Sequence, residues 1–362
     1  MPEALKDRYT TKLIRAIGTA VHQEYAVFAV AEFVKAVMDS DWEHRELKAR
    51  MRHLTHCLHQ QLPNHFPEAI PILNRASSRF DSGFLFMFFP DYVEVYGMEH
   101  PDEALQALAW MTRFSSSEFA IRPFLIRYPE RTLAALQTWS EDENYHVRRL
   151  SSEGCRPLLP WAIALPAFKS NPAPILPILT RLRNDPSEYV RRSVANNLND
   201  ISKNQPELVG ELLSQWKGET RETDRLCKHA ARTLLKQGHT RTLRLFGFGN
   251  PESIRVQKFQ AKPSVVPFGG ITSLNITFEV AASQAQLLRI EYRVHFVKAR
   301  GKKSPKMFQV TERSFLPRKH DIIKTHDFTE RTTRKHYPGK HQIDLVINGE
   351  TKATVTLTLK SD

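Results

Sequence analysis

Cysteine is scarce in this chain of 362 residues: Cys57, Cys155 and Cys227 are all it has. They are too few and too scattered for a disulfide scaffold, so a reducing cytoplasm is the expected setting. Long apolar runs are missing as well. The longest, Phe84 to Pro90, falls far short of the roughly 20 residues that cross a bilayer, and no membrane association is expected. The opening MPEALKDRYT is charged and helical in character, so no secretory signal is expected either. There is no Gly-rich phosphate loop, no G-x-S-x-G elbow and no H-x-E with P-C-x-x-C. Nucleotide hydrolysis, esterase chemistry and zinc deamination therefore have no support. His53, His56, Cys57 and His59 make the one metal-like cluster, on a helix around Met51 to Leu62. Without acidic partners or a second liganding pair they predict no metal site, and no cofactor is expected.

What the chain does have is a phrase written twice, 43 positions apart: Asp142 to Arg149 reads DENYHVRR and Asp185 to Arg192 reads DPSEYVRR. A period of that size signals stacked helical hairpins. Pro129 opens an apolar-periodic helix (Leu133, Leu136, Trp139), an acidic turn follows, and Val147, Arg148 and Arg149 begin a second helix. Pro172, Leu176, Leu179 and Leu182, then Val190, Arg191 and Arg192, repeat this; a further copy runs from Pro206 through Trp216 to Lys228, and an earlier one from Pro101 through Met111 to Phe119. Proline suits the first helical turn, and the apolar positions recur at helical spacing. The fold class predicted for residues 1–245 is an α-solenoid of HEAT-like repeats with a concave face.

After Asn250 the period changes from helical to two. Ile271 to Val280, Leu288 to Val297 and Ala353 to Leu359 alternate like strands, and Asn348-Gly349 is a hairpin signal. Residues 251–362 are predicted to form an all-β immunoglobulin-like sandwich. A 41% hydrophobic and 25% charged composition fits two globular cores of this kind. Charge is divided unevenly. The chain carries a net +13, and the β region holds 20 Lys+Arg against 10 Asp+Glu, clustered in Lys298 to Lys306, Arg318 to His320 and Arg331 to Lys340, which read as loops. Such clusters can be merely solubilising. Beside a solenoid whose helix starts repeat a basic residue at Arg149, Arg192 and Lys228, against the helix dipole, they point to nucleic acid.

The copy opened by Pro101 departs from its siblings. It reads Arg113-Phe-Ser-Ser-Ser-Glu118-Phe-Ala-Ile-Arg122, with Glu118 at the position of His146 and Tyr189. Ser115 with Glu118 fits a capping box; alternatively, the carboxylate faces the groove as a functional group. Trp161, in the Pro-bounded turn LLPWAIALP, either projects toward the groove or seals the core. Glu153, one turn beyond Arg149, is either a further member of the site or the ion-pair partner of Arg149.

From Pro101 to about Leu235 the chain resembles the HEAT-like-repeat alkylpurine DNA glycosylases, and the basic immunoglobulin-like tail resembles the AlkC branch of that family. In the related AlkD branch the repeats carry an aspartate at a helix start, an arginine two places after the apolar anchor and a tryptophan in the next repeat. The carboxylate falls here on Glu118 and the arginine on Arg149, but the tryptophan position falls on Asn196, a departure that assigns the aromatic wall to Trp161. The resemblance implies excision of cationic bases such as 3-methyladenine and 3-methylcytosine from double-stranded DNA without a deep flipping pocket. A base methylated at N3 leaves as a neutral molecule, so one carboxylate suffices where glycoside hydrolysis needs two. Glu118 would stabilise the charge developing on deoxyribose and orient water, Trp161 would pack on sugar or base, and Arg149 would grip a phosphate. Arg148, Arg192, Lys228, Lys302, Lys303, Arg318 and Lys319 are the expected DNA contacts, and a monomer is expected. The residues alone leave two rivals open, a non-catalytic nucleic-acid-binding scaffold and a protein adaptor. A carboxylate facing phosphate harms pure binding, and an adaptor calls for an apolar groove.

Overall fold

A computed structural model of the chain describes residues 4–80, 83–330 and 335–360. Its first helices are α1 (Thr11–Glu24), α2 (Val30–Val37), α3 (Leu47–His59), α4 (Phe66–Ser77) and α5 (Phe88–Tyr96). The repeats follow as α6 (Pro101–Met111), α7 (Ile121–Arg127), α8 (Pro129–Trp139), α9 (Tyr145–Glu153), α10 (Pro166–Ser170), α11 (Leu176–Leu182) and α12 (Glu188–Ile201). After these come α13 (Pro206–Trp216), α14 (Arg221–Ala230), α15 (Arg232–Gln237) and α16 (Thr240–Leu245). Strands then take over: β1 (Ile254–Lys262), β2 (Val265–Pro267), β3 (Ile271–Val280), β4 (Gln286–Val297), β5 (Lys303–Phe315), β6 (Lys319–Asp327), β7 (Gly339–Ile347) and β8 (Glu350–Lys360). This is the predicted solenoid of HEAT-like repeats followed by an immunoglobulin-like sandwich. Two compact units divide it: residues 1–205 with 216–230, and residues 206–215 with 231–362. Among the described residues no helix is long and apolar enough to cross a membrane.

Proline sets the helix starts, as its missing N–H allows: Pro101, Pro129 and Pro206 stand first in α6, α8 and α13. The helix expected from Pro172 begins later. Pro172 caps a 3-10 turn at Ala173–Ile175, and α11 starts only at Leu176, because Pro172, Pro174 and Pro177 remove amide donors in close succession.

The repeated phrase repeats its hydrogen bonds. Asp142 Oδ1 accepts from Asn144 N at 2.8 Å, and Asp185 Oδ1 from Ser187 N at 2.8 Å. Arg148 Nη1 donates to the carbonyls of Asp142 and Glu143, and Arg191 Nη1 to those of Asp185 and Pro186. Val147 and Val190 are fully buried behind them. The copies are also joined to each other: Arg148 Nε and Nη2 reach Asp185 at 2.6 and 3.1 Å. Helix α9 packs on α12 and α12 on α14. Small polar groups line the α9–α12 seam, where Ser152 Oγ donates to Ser193 Oγ at 2.7 Å.

In the second unit β1, β3 and β6 form one antiparallel sheet, and β2, β8, β7, β4 and β5 form another in that order, antiparallel except for β2 beside β8. Inward residues of both sheets meet, Leu274 with Tyr292 and Ile343, and Phe278 with Leu288 and Leu345, the face-to-face packing of a sandwich. The Asn348-Gly349 hairpin is present: Ile347 pairs with Glu350, and φ is 46° and 83° at the two loop residues, the left-handed pair a type I′ turn needs. Gly349 has a second constraint, since a Cβ there would lie 2.6 Å from Gly238 Cα.

The basic clusters are less loop-like than the sequence predicts. Lys298 N donates to Lys302 O and Gly301 takes φ 71°, so the β4–β5 turn closes early. Lys303 already pairs with Val297 as the first residue of edge strand β5, and Lys319 opens edge strand β6. Only Lys302 and Arg318 lie in turns; all four side chains are exposed. Of the third cluster, Lys340 belongs to β7, while residues 331–334 lie outside the described residues. Lysine on an edge strand also guards against edge-to-edge pairing.

Candidate active site

Between α6 and α7 the chain makes a turn over residues 112–120 whose three serines each hold a different anchor. Ser115 Oγ donates to Gly83 O at 3.2 Å, Ser117 Oγ to Leu108 O at 2.8 Å, and Ser116 Oγ to Glu118 Oε2 at 2.8 Å. The capping box of Ser115 with Glu118 does not form, because α7 begins only at Ile121 and Ser115 turns toward Gly83. Glu118 is thereby held on the wall of a cavity of about 310 Å³, with Phe84, Met87, His146, Arg149 and Tyr189. His146 and Tyr189 occupy the same place in the two copies of the repeated phrase, so equivalent positions of successive repeats converge on one space.

Arg149 Nη1 donates to Glu118 Oε2 at 2.8 Å, Nη2 lies 3.7 Å from Glu153, and the guanidinium sits 4.4 Å over the Tyr189 ring. Burial works against the Arg149 charge, but Glu153 and Glu118 outweigh it and hold the guanidinium above its ordinary range. Both donors to Glu118 meet Oε2; among the described residues Oε1 accepts nothing. His146 is held below the ordinary imidazole range by burial and then by Arg149, so it stands neutral at pH 7.

Glu153 does not line the cavity. It is buried, pairs with Arg156 at 2.6 Å, and Arg156 pairs in turn with Asp200 at 3.0 Å. An ion-pair role for Glu153 is what the geometry displays. Trp161 stands apart from the cavity wall as well, 65% exposed, with its ring edge-on to Phe84 at 6.0 Å. Its φ is +65°, rare for a bulky residue, and Lys48 Nζ donates to its carbonyl at 2.9 Å. Asn196 pairs with His229 at 3.0 Å.

The expected DNA contacts fall into two groups. Arg148 is committed to Asp185 and two carbonyls, which makes it a joint between repeats rather than an open cation. Arg192 is exposed and has no ion-pair partner among the described residues; it lines a second cavity of about 310 Å³ with Arg225, Glu188, Glu222 and His229. Lys228 is half-buried nearby on α14. The metal-like residues of α3 have other partners: His53 meets Ala36 O, His56 the Tyr96 hydroxyl and His59 the Tyr92 hydroxyl, and Cys57 is buried. Sequence reasoning missed Ser116 and Phe84 as parts of the site. His146 and Tyr189 could have been found from their equivalence in the repeat.

Residues 103–238 match the family model described as a DNA alkylation repair enzyme. A solved structure matches along nearly the whole chain: the alkylpurine DNA glycosylase AlkC of Pseudomonas fluorescens, bound to DNA containing an abasic site analog, is 36% identical over 99% of this chain and 100% of its own, with a TM-score of 0.94. The chain belongs to the DNA alkylation repair enzyme family. Within it the similarity is to AlkC of Pseudomonas fluorescens, and the match extends through both the helical and the β regions. Residues 255–361 also match the C-terminal Ig-like domain of the uncharacterised protein YhaZ. YhaZ of Bacillus subtilis (strain 168) is 44% identical over 96% of this chain and 97% of its own.

Proposed function

We propose that this AlkC-like chain hydrolyses the N-glycosidic bond of cationic alkylated bases, 3-methyladenine and 3-methylcytosine, in bent double-stranded DNA. The observation that carries this is Glu118, a carboxylate gripped at one oxygen by Ser116 and Arg149, with its other oxygen unpartnered among the described residues on a cavity wall. As the bond to a cationic base breaks, the base takes the bonding electrons and leaves neutral, and the positive charge passes to the deoxyribose. A carboxylate fixed before that moment stabilises the charge without reorganising, which is where such groups contribute most. The unpartnered Oε1 is also placed to accept a proton from an attacking water. No general acid is needed.

Arg149 acts as the orienting group for Glu118, since its side chain contacts Glu118, Ser116, Glu153 and Tyr189. Arg192, Arg225 and Lys228 supply phosphate contacts, with Lys302, Lys303, Arg318 and Lys319 adding others from the β region. Trp161, exposed and edge-on to Phe84, packs against the sugar or base. Release of free base from methylated DNA by the purified chain tests the reading. Loss of release in Glu118→Gln with DNA binding retained is expected. DNA binding with no base release by the unaltered chain would leave a non-catalytic nucleic-acid-binding protein instead.

A further inference from the structure

Arg122 lies on α7 one turn after Glu118 and is fully buried. Its neighbours in the charge network pair with carboxylates, but Arg122 has none within ion-pair distance among the described residues. Nε donates to Ile163 O at 2.6 Å and Nη1 to Gly154 O at 2.9 Å, while Nη2 has no partner among the described residues. Burial pushes the guanidinium down to about 10, so it is charged at neutral pH. A buried cation without a counter-charge opposes folding, and two carbonyls compensate only in part.

What those carbonyls belong to gives the arrangement its use. Gly154 follows Glu153 at the end of α9, the helix that carries Arg149. A Cβ on Gly154 would come within 2.7 Å of Ile121 Cγ2, so α7 and the end of α9 abut where Arg122 crosses. Ile163 belongs to the 157–165 segment, closed by Leu165 N donating to Pro157 O at 3.1 Å. The side chains near its tip do not anchor it: Trp161 is 65% exposed and Ile163 51%. Its backbone is gripped instead, by Arg122 from within and by Lys48 at the Trp161 carbonyl.

We propose that Arg122 is a positioning residue that fixes the Trp161 segment against the turn carrying Glu118 and the helix carrying Arg149, acting on base excision only through Trp161. This rests on the excision reading above. The test is a mutant cycle on the full chain with methylated DNA, pairing Arg122→Met, which replaces the buried charge by an apolar chain of similar length, with Trp161→Ala. Arg122→Met should lower kcat roughly tenfold or more with KM changed less than about twofold, as expected for misplaced rather than missing contacts. In the Trp161→Ala background the same change should lower kcat by less than about twofold, because the two act as one unit. Amide exchange at residues 159–165 should speed up roughly tenfold in Arg122→Met, a readout independent of activity. Should Arg122→Met fail to fold, Arg122→Lys keeps the charge, cannot bridge both carbonyls, and is read by the same cycle. Wild-type kcat in the Arg122 variant, or full additivity with Trp161→Ala, overturns the inference. Absence of base release from the unaltered chain would instead defeat the proposed function, and the exchange measurement would still decide whether Arg122 holds the segment.

Discussion

Arg149 and Arg192 stand at the same place in two copies of one phrase, yet the structure treats them oppositely. Arg149 is mostly buried, bound to Glu118 and laid over Tyr189. Arg192 is exposed, with no ion-pair partner among the described residues. The helical frame is the same for both; the preceding repeat is what differs. In front of Arg149 the copy opened by Pro101 presents a carboxylate, whereas the corresponding place in front of Arg192 is His146. One acidic residue in a neighbouring unit thus draws a repeated surface cation into an ion pair on a cavity wall. Repetition supplies the positions, and the exception to it supplies the one carboxylate among the described residues of the cavity wall.

The largest expected effect comes from removing that exception. Glu118→Gln should reduce base release by roughly 100-fold or more while DNA affinity changes little; single-turnover release from methylated DNA measures it, and near-normal release would return Arg149 to the class of Arg192. The joint between copies comes next. Arg148→Ala leaves Asp185 buried without its cation and should cost roughly 3 kcal/mol in denaturant unfolding, whereas Arg192→Ala should stay within about 0.5 kcal/mol. Equal losses would erase the distinction between joint and surface. In DNA titrations the order reverses: Arg192→Ala should make the salt dependence of log K shallower by about 1, and Lys302→Glu with Lys303→Glu should act in the same direction. A slope unchanged in all of these would remove these residues from the interface.

The smallest effect concerns pH. His59, His146 and His341 are all held below the ordinary imidazole range, by burial first in each case. The unfolded chain therefore takes up protons near pH 6.5 that the folded chain refuses, so their contribution to stability is complete above about 6.5 and is lost as the pH falls toward the depressed folded values. His146→Gln should flatten its share of that decline in unfolding midpoints measured between neutral and mildly acid pH; an unchanged profile would mean that Arg149 and burial leave His146 free to titrate.

Periodicity made the frame legible. Pro101, Pro129 and Pro206 open helices, Ile271 to Val280 is a strand, and Asn348-Gly349 turns a hairpin, because each depends on local backbone chemistry. The Pro172 helix and the extent of the basic loops were misread where prolines crowd a helix start and where a turn closes early. The site divides similarly. Glu118 and Arg149 stand out as a break in the repeat and a member of it, and the structure places them on one cavity wall. Phe84, Ser116 and the commitment of Arg148 to Asp185 depend on which distant segments meet, and no local spacing encodes that. Nor does any local signal distinguish a buried arginine such as Arg122 from an exposed one.

The bond between Arg148 and Asp185, spanning 37 positions, bears on how such a protein can grow or shrink. The first copy presents Arg148 forward and the second presents Asp185 backward, whereas Arg191 bonds only carbonyls of its own copy, so these two modules are portable only as a matched pair. Excising the copy that contains Asp185 would strand the cation of its predecessor, and inserting a generic helical hairpin between the two would do the same. Edits at this junction therefore have to keep the Arg148–Asp185 pair as well as the packing of α9 on α12.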